Sequence, residues 1–221
     1  MKLKKSRIIR TYIEEPYLAL FISLLATLLL MPWSANNYED SFVTQGLLSL
    51  IVIGGILSFG RDHRLFTKSL VIGLLIISLG WMSDIMRITE LIVLHFMLLT
   101  ALMIFLTFNI IRNILGVKEV NSHVILGSLC GYMMLGLTAA FIITILDFYF
   151  PGAIYFSHTD DPKIGDIVYF TFITLTTIGY GDAVPIHNLI KGISYTLGIL
   201  GQFYMTVLVA FFMGKFLSSG K

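Results

Sequence analysis

A chain of 221 residues that is 57% hydrophobic and 13% charged, with a mean hydropathy of +0.88, stands apart from soluble domains, which are about half apolar and about a quarter charged; it reads as an integral membrane protein. Cys130 is the one cysteine and lies in an apolar run, so an intramolecular disulfide is excluded and the thiol reads as packed rather than reactive. The net charge of +2 comes without a basic stripe interleaved with aromatics, which excludes a nucleic-acid partner.

The opening "MKLKKSRIIR" and the apolar run after it imitate a signal peptide, with "WSAN" at 33–36 as a weak cleavage site. The expectation is a retained first span, because the spans that follow need it for their orientation. A membrane-crossing helix takes ~20 mostly apolar residues. Six segments approach that length: 17–31, 45–59, 69–82, 91–111, 124–148 and 189–216. The second and third are short and must borrow flanking residues or sit in a thinned bilayer. Pro16, Pro32, Pro151, Pro162 and Pro185 all fall between spans or at their edges, where a helix tolerates proline. Between the fifth and sixth spans, residues 167–176 are apolar but too short to cross, and they read as a re-entrant half-helix with an extended return.

Charge sets the orientation. With a cytoplasmic N-terminus and six crossings, Lys2, Lys4, Lys5, Arg7, Arg10, Arg61, Arg64, Lys68, Arg112, Lys118, Lys215 and Lys221 fall inside, and Arg87, Lys163 and Lys191 fall outside. That bias matches the positive-inside rule. Acids lean outward: Glu39, Asp40, Asp84, Glu90, Asp147, Asp160, Asp161, Asp166 and Asp182. Both termini are therefore expected in the cytoplasm of a multi-pass cell-membrane protein, with the re-entrant segment on the outer side.

The first four spans lack the chemistry of a voltage sensor. The fourth, "LIVLHFMLLTALMIFLTFNII", has no Arg or Lys to move through the field, and each moved charge is worth about 2.3 kcal/mol per 100 mV. Its one ionisable group, His95, reads as structural or as pH-sensing. Asp84, Arg87 and Glu90 at i, i+3, i+6 would share a helix face as an outer ion pair or a regulatory cation site. Gly127 and Gly131 form a G-x-x-x-G that reads as helix packing. His158, Asp160, Asp161 and Asp166 in the outer loop read as a solvated acidic rim or a divalent site.

Irregular backbone at membrane depth is tolerated only when buried in protein or lining a watery cavity. "TTIGYGDAVP" at 176–185 must therefore line something. Gly179 and Gly181 alternate with Ile178 and Tyr180, and glycine accepts positive φ at little cost. Backbone of alternating hand would turn successive carbonyls to one side. Thr177-Ile178-Gly179-Tyr180-Gly181-Asp182 resembles the selectivity filter of the potassium channel family, whose TVGYG loops replace an ion's water shell with carbonyls; Ile178 stands where that form has Val. The resemblance implies that the carbonyls of Thr177, Ile178, Gly179, Tyr180 and Gly181, with the Thr177 hydroxyl, coordinate dehydrated K+. It implies that Ile178 and Tyr180 pack outward, and that Asp182, Tyr169, Phe170 and Thr176 support the filter. Asp182 would bond to an aromatic of the pore helix, and Tyr169 has the matching hydroxyl. Phe170 departs from the family's frequent Trp, and Ile173 stands where some relatives keep a buried acid. Gly201 matches the family's hinge glycine; it and Gly198 read either as a gating hinge or as sites of close helix packing.

The expected fold class is an all-α membrane protein, with six transmembrane helices, a re-entrant pore helix and a selectivity filter, assembling as a tetramer. Its parts would be a basic N-terminus (1–16) touching anionic lipid, a four-helix domain (17–112), a linker (113–123), a pore domain (124–216) with pore helix 167–176, filter 177–181 and inner helix 189–216, and a tail (217–221). No cofactor is expected beyond the permeant K+, and the partners are membrane lipids and three further copies of the chain. The function expected is a potassium-selective channel, not steeply voltage-gated and not an enzyme. The alternatives are a non-selective cation channel and a non-conducting regulatory subunit of a potassium channel.

Overall fold

The computed structural model describes residues 17–32, 40–59, 63–117 and 121–219. The expected basic N-terminus, together with Glu39, Arg61, Lys118 and Lys221, lies outside the described residues. The elements run in the order α1 (Leu18–Leu30), α2 (Asp40–Ser58), α3 (His63–Met86), α4 (Thr89–Leu115), α5 (Ser122–Tyr149), β1 (Ile154–Phe156), α6 (Ile164–Leu175), β2 (Ala183–Pro185) and α7 (Asn188–Ser219).

Among the described residues, four helices have a stretch long and apolar enough to cross a membrane: Leu65–Met86, Thr89–Ile114, Ser122–Tyr149 and Asn188–Lys215. They correspond to the third, fourth, fifth and sixth expected spans. The first two are shorter. The 13 residues of α1 rise only about 20 Å, against a hydrocarbon core of about 30 Å. In α2 the apolar stretch is Phe42–Ser58. Several buried hydroxyls inside the apolar helices are satisfied locally. Thr27 Oγ1 donates to the Ser23 carbonyl at 2.8 Å, Thr100 to Phe96 at 2.7 Å, Ser128 to Val124 at 2.7 Å and Thr144 to Ala140 at 2.9 Å. Such back-bonds let buried hydroxyls sit in a helix without orphaned donors.

Helix α5 is the hub, packing against α1, α4, α6 and α7. Its Met134, Leu137 and Phe141 are fully buried beside Leu20 and Leu24 of α1, and Leu99 and Met103 of α4. Lipid tails are as apolar as these side chains, so close van der Waals packing rather than hydrophobic transfer holds such helices together. The G-x-x-x-G of α5 works this way: Gly127 faces the Tyr17 ring, and Gly131 receives the Tyr204 hydroxyl from α7, 2.4 Å from where a Cβ would stand. Asn121 starts the helix, its side chain accepting from the Val124 N–H at 3.2 Å.

One expected arrangement is corrected. Asp84, Arg87 and Glu90 do not share a helix face, because α3 stops at Met86 and α4 starts at Thr89. Arg87 between them has φ +52, and its N–H closes on the Ser83 carbonyl at 2.9 Å. A left-handed residue at this position ends the helix.

Two three-residue strands, with no counterpart in the sequence reading, form an antiparallel pair in which Tyr155 faces Val184. Pro185, which has no N–H to donate, sits at the strand end where a ladder tolerates it. The pair joins the outer loop to the segment after "GYGD". The Ser157 N–H donates to the Asp182 carbonyl at 2.8 Å, and the Ile186 and His187 N–H groups donate to the Ala153 carbonyl at 2.9 and 3.1 Å.

Candidate functional site

Helix α6 begins three residues earlier than hydropathy alone places it, because its first turn is capped by polar groups. Asp166 Oδ2 accepts from the Lys163 N–H at 2.8 Å, and Oδ1 lies 3.0 Å from His158 Nε2. Lys163 also pairs with Asp161. The outer-loop acids thus divide between capping and pairing. No group of three His, Cys, Asp or Glu among the described residues is placed to hold a metal ion.

At its other end α6 runs directly into the "TIGYGD" segment. Thr176 is the C-cap, and its hydroxyl donates back to the Phe172 carbonyl at 2.6 Å. The chain then folds onto the helix end: Thr177 N–H donates to Thr174 at 3.0 Å and Gly179 N–H to Ile173 at 3.1 Å. Three alternate residues have positive φ, Thr177 at +61, Gly179 at +53 and Gly181 at +84. The glycines take this conformation without penalty. Thr177 does not; a left-handed β-branched residue is strained by about 1–2 kcal/mol. The sequence reading assigned the left-handed positions to the glycines alone.

The whole segment from Thr177 to Gly181 is exposed on the single subunit. Ile178 is 54% and Tyr180 71% exposed, so the outward packing expected of these two side chains is not made within one chain. Nothing lies within 4 Å of a Cβ built on Gly179 or Gly181.

Behind the segment, Tyr169 Oη donates to Asp182 Oδ2 at 2.7 Å, the bond that the family resemblance implies. Phe170 and Ile173 are buried and offer no donor, and Asp182 Oδ1 has no partner among the described residues. Tyr169→Phe therefore leaves both carboxylate oxygens without a partner in the subunit. It is expected to cost about 1–3 kcal/mol, read as a thermal midpoint several degrees lower in detergent; an unchanged midpoint would show that the bond contributes nothing.

Helix α7 stands against the foot of α6. A Cβ on Gly201 would come within 2.5 Å of the Leu175 carbonyl oxygen, whereas one on Gly198 would find only Thr174 O at 3.8 Å. Gly201 is thus a site of close backbone approach, and α7 is one continuous helix through both glycines. The Leu175 carbonyl also accepts from Tyr132 Oη at 3.2 Å, and Tyr204 Oη donates to the Ser128 carbonyl at 2.7 Å. Helices α5, α6 and α7 are therefore pinned together at one level. Gln202, unmarked in the sequence reading, places Nε2 3.4 Å from Thr177 Oγ1; a lone amide in an apolar span was its signal.

Away from this region, His95 is buried with Nδ1 3.1 Å from the Ile76 carbonyl and its ring against Phe96, an arrangement that fits a structural histidine. Cys130 is buried, with Sγ 3.7 Å from the Tyr17 carbonyl.

Residues 129–218 match the model of a family described as ion channels. The matched stretch takes in most of α5, the strand pair, α6, the "TIGYGD" segment and α7, and leaves the first four helices unmatched. The chain matches no curated protein and no solved structure. The family match supports an ion channel in a membrane, and a protein that is not an enzyme.

Proposed function

We propose that the protein is a potassium-selective channel in which four copies bring their 177–181 segments around a common axis. The observation that carries this reading is the alternation of positive φ at Thr177, Gly179 and Gly181, in a TIGYGD run set between a half-length helix and α7. One loop supplies one carbonyl per level, and a cage that replaces a water shell needs a ring of them. Exposure within the subunit supports assembly. Irregular backbone cannot face lipid, yet this segment is uncovered by its own chain. Helix α7 likewise has few buried residues, with Tyr195, Phe203 and Val209 each more than half open.

In this assembly the carbonyls of Thr177 to Gly181 hold dehydrated K+ in file. The C-terminal end of α6, with about half a negative charge, favours a cation below the filter. The first four helices carry no gating-charge array: α4 has Arg112 in its last turn and no other Lys or Arg, so steep voltage dependence has no source. The basic N-terminus and cytoplasmic termini complete the proposed topology.

The test is the reversal potential of the purified full chain in a planar bilayer with potassium on one side and sodium on the other. A value near the potassium equilibrium potential is expected. A value near zero would overturn selectivity in favour of a non-selective cation channel, with donor-less Phe170 and Ile173 and the unpartnered Asp182 Oδ1 as the structural reason.

A further inference from the structure

Gln202 lies near the midpoint of the membrane-length stretch Asn188–Lys215, and its side chain is exposed on the subunit. Thr206, one turn further on, is exposed on the same face, with its hydroxyl donating to the Gln202 carbonyl at 2.8 Å. A primary amide at mid-membrane that faces lipid leaves its donors unsatisfied, so polar side chains in spans face protein or a water-filled cavity. Gln202 faces Thr177: Nε2 donates to Oγ1 at 3.4 Å, the long end of hydrogen-bonding distance.

Two backbone features fix this pair in register. Gly201 is pressed onto the Leu175 carbonyl, which sets the height of α7 against the end of α6. Thr177 has φ +61, a conformation that a β-branched residue keeps only where its surroundings over-determine it. We propose that Gln202 is a positioning residue for the innermost ion site: its amide holds the Thr177 hydroxyl and so sets how tightly that site keeps a dehydrated cation arriving from the cytoplasmic side. This rests on the filter reading above. With the amide on one lone pair, the hydroxyl oxygen turns the other to the ion; without it the hydroxyl rotor is free.

The experiment uses the full-length channel in planar bilayers with barium added from the cytoplasmic side, since Ba2+ has nearly the radius of K+ and twice its charge. Gln202→Leu is expected to weaken barium block about tenfold while potassium stays preferred over sodium. In a Thr177→Val background the Gln202→Leu effect disappears, because the hydroxyl through which it acts is gone. Thr177→Ser, which keeps the hydroxyl, retains the full effect and stands in if the valine variant does not assemble. Unchanged block in Gln202→Leu, persistence of its effect in Thr177→Val, or loss of it in Thr177→Ser overturns the proposal. A wild-type channel without potassium selectivity overturns the filter reading itself; a selective one whose block ignores Gln202 overturns this inference alone.

Discussion

Gly179→Ala is expected to abolish potassium-selective current while the protein still assembles. Gly179 has φ +53, and no atom lies within 4 Å of the Cβ position. The added methyl therefore meets no clash inside the subunit, and the loss of stability is limited to the left-handed strain of about 1–2 kcal/mol. The functional loss is far larger than that figure suggests. Relief of the strain turns the peptide planes on either side of residue 179, and with four copies this removes carbonyls from two adjacent levels of the proposed cage. Bilayer recording together with size-exclusion chromatography in detergent separates the two effects. Normal potassium selectivity in this variant would sink the carbonyl cage.

The second large effect is structural and contrasts two glycines one turn apart. Gly201→Ala puts a methyl 2.5 Å from the Leu175 carbonyl oxygen. That atom belongs to backbone, so a side chain cannot swing away to make room. Either α7 or the end of α6 must move, at about 1–3 kcal/mol for overpacking, and the Tyr132 bond to the same carbonyl is disturbed. Gly198→Ala meets only the Thr174 carbonyl at an ordinary 3.8 Å, and alanine gains about 1 kcal/mol over glycine in a helix. Thermal midpoints are expected to move in opposite directions, down for Gly201→Ala and up for Gly198→Ala. A shift of the same sign in both would mean that α7 does not sit on Leu175 as described.

What hydropathy could reveal, it revealed. The ends of α5 and α7 lie within three residues of their expected positions, since long apolar runs bounded by polar residues leave little freedom. Hydropathy cut α2 and α3 short, because helix ends carry residues such as Asp40, His63, Lys68 and Asp84 that lower an average without breaking a helix. The Tyr169–Asp182 bond was legible because its thirteen-residue spacing belongs to a recognised motif. The break at Arg87 was not: arginine is no turn signal, and its positive φ answers to how α3 and α4 pack. Three-residue strands are too short for a period of two to register. The contact between Gln202 and Thr177 was hidden for a different reason: it joins residues 25 positions apart in sequence, and no local pattern encodes it.

The β1–β2 pair bears on where this chain tolerates change in length. Its hydrogen bonds tie Ser157 to Asp182 and Ala153 to Ile186 and His187, while α6 holds the other end of the same loop. The number of residues between Leu175 and Asp182 is thereby fixed, as is the number between Asp182 and Asn188. The stretch between Ser157 and Lys163 tolerates more, since its residues are exposed or half-exposed and free of ladder bonds. Added residues, an epitope tag among them, belong around Thr159 and Asp160; one residue added at Ala183 would slip the strand register and turn every side chain after it to the opposite face.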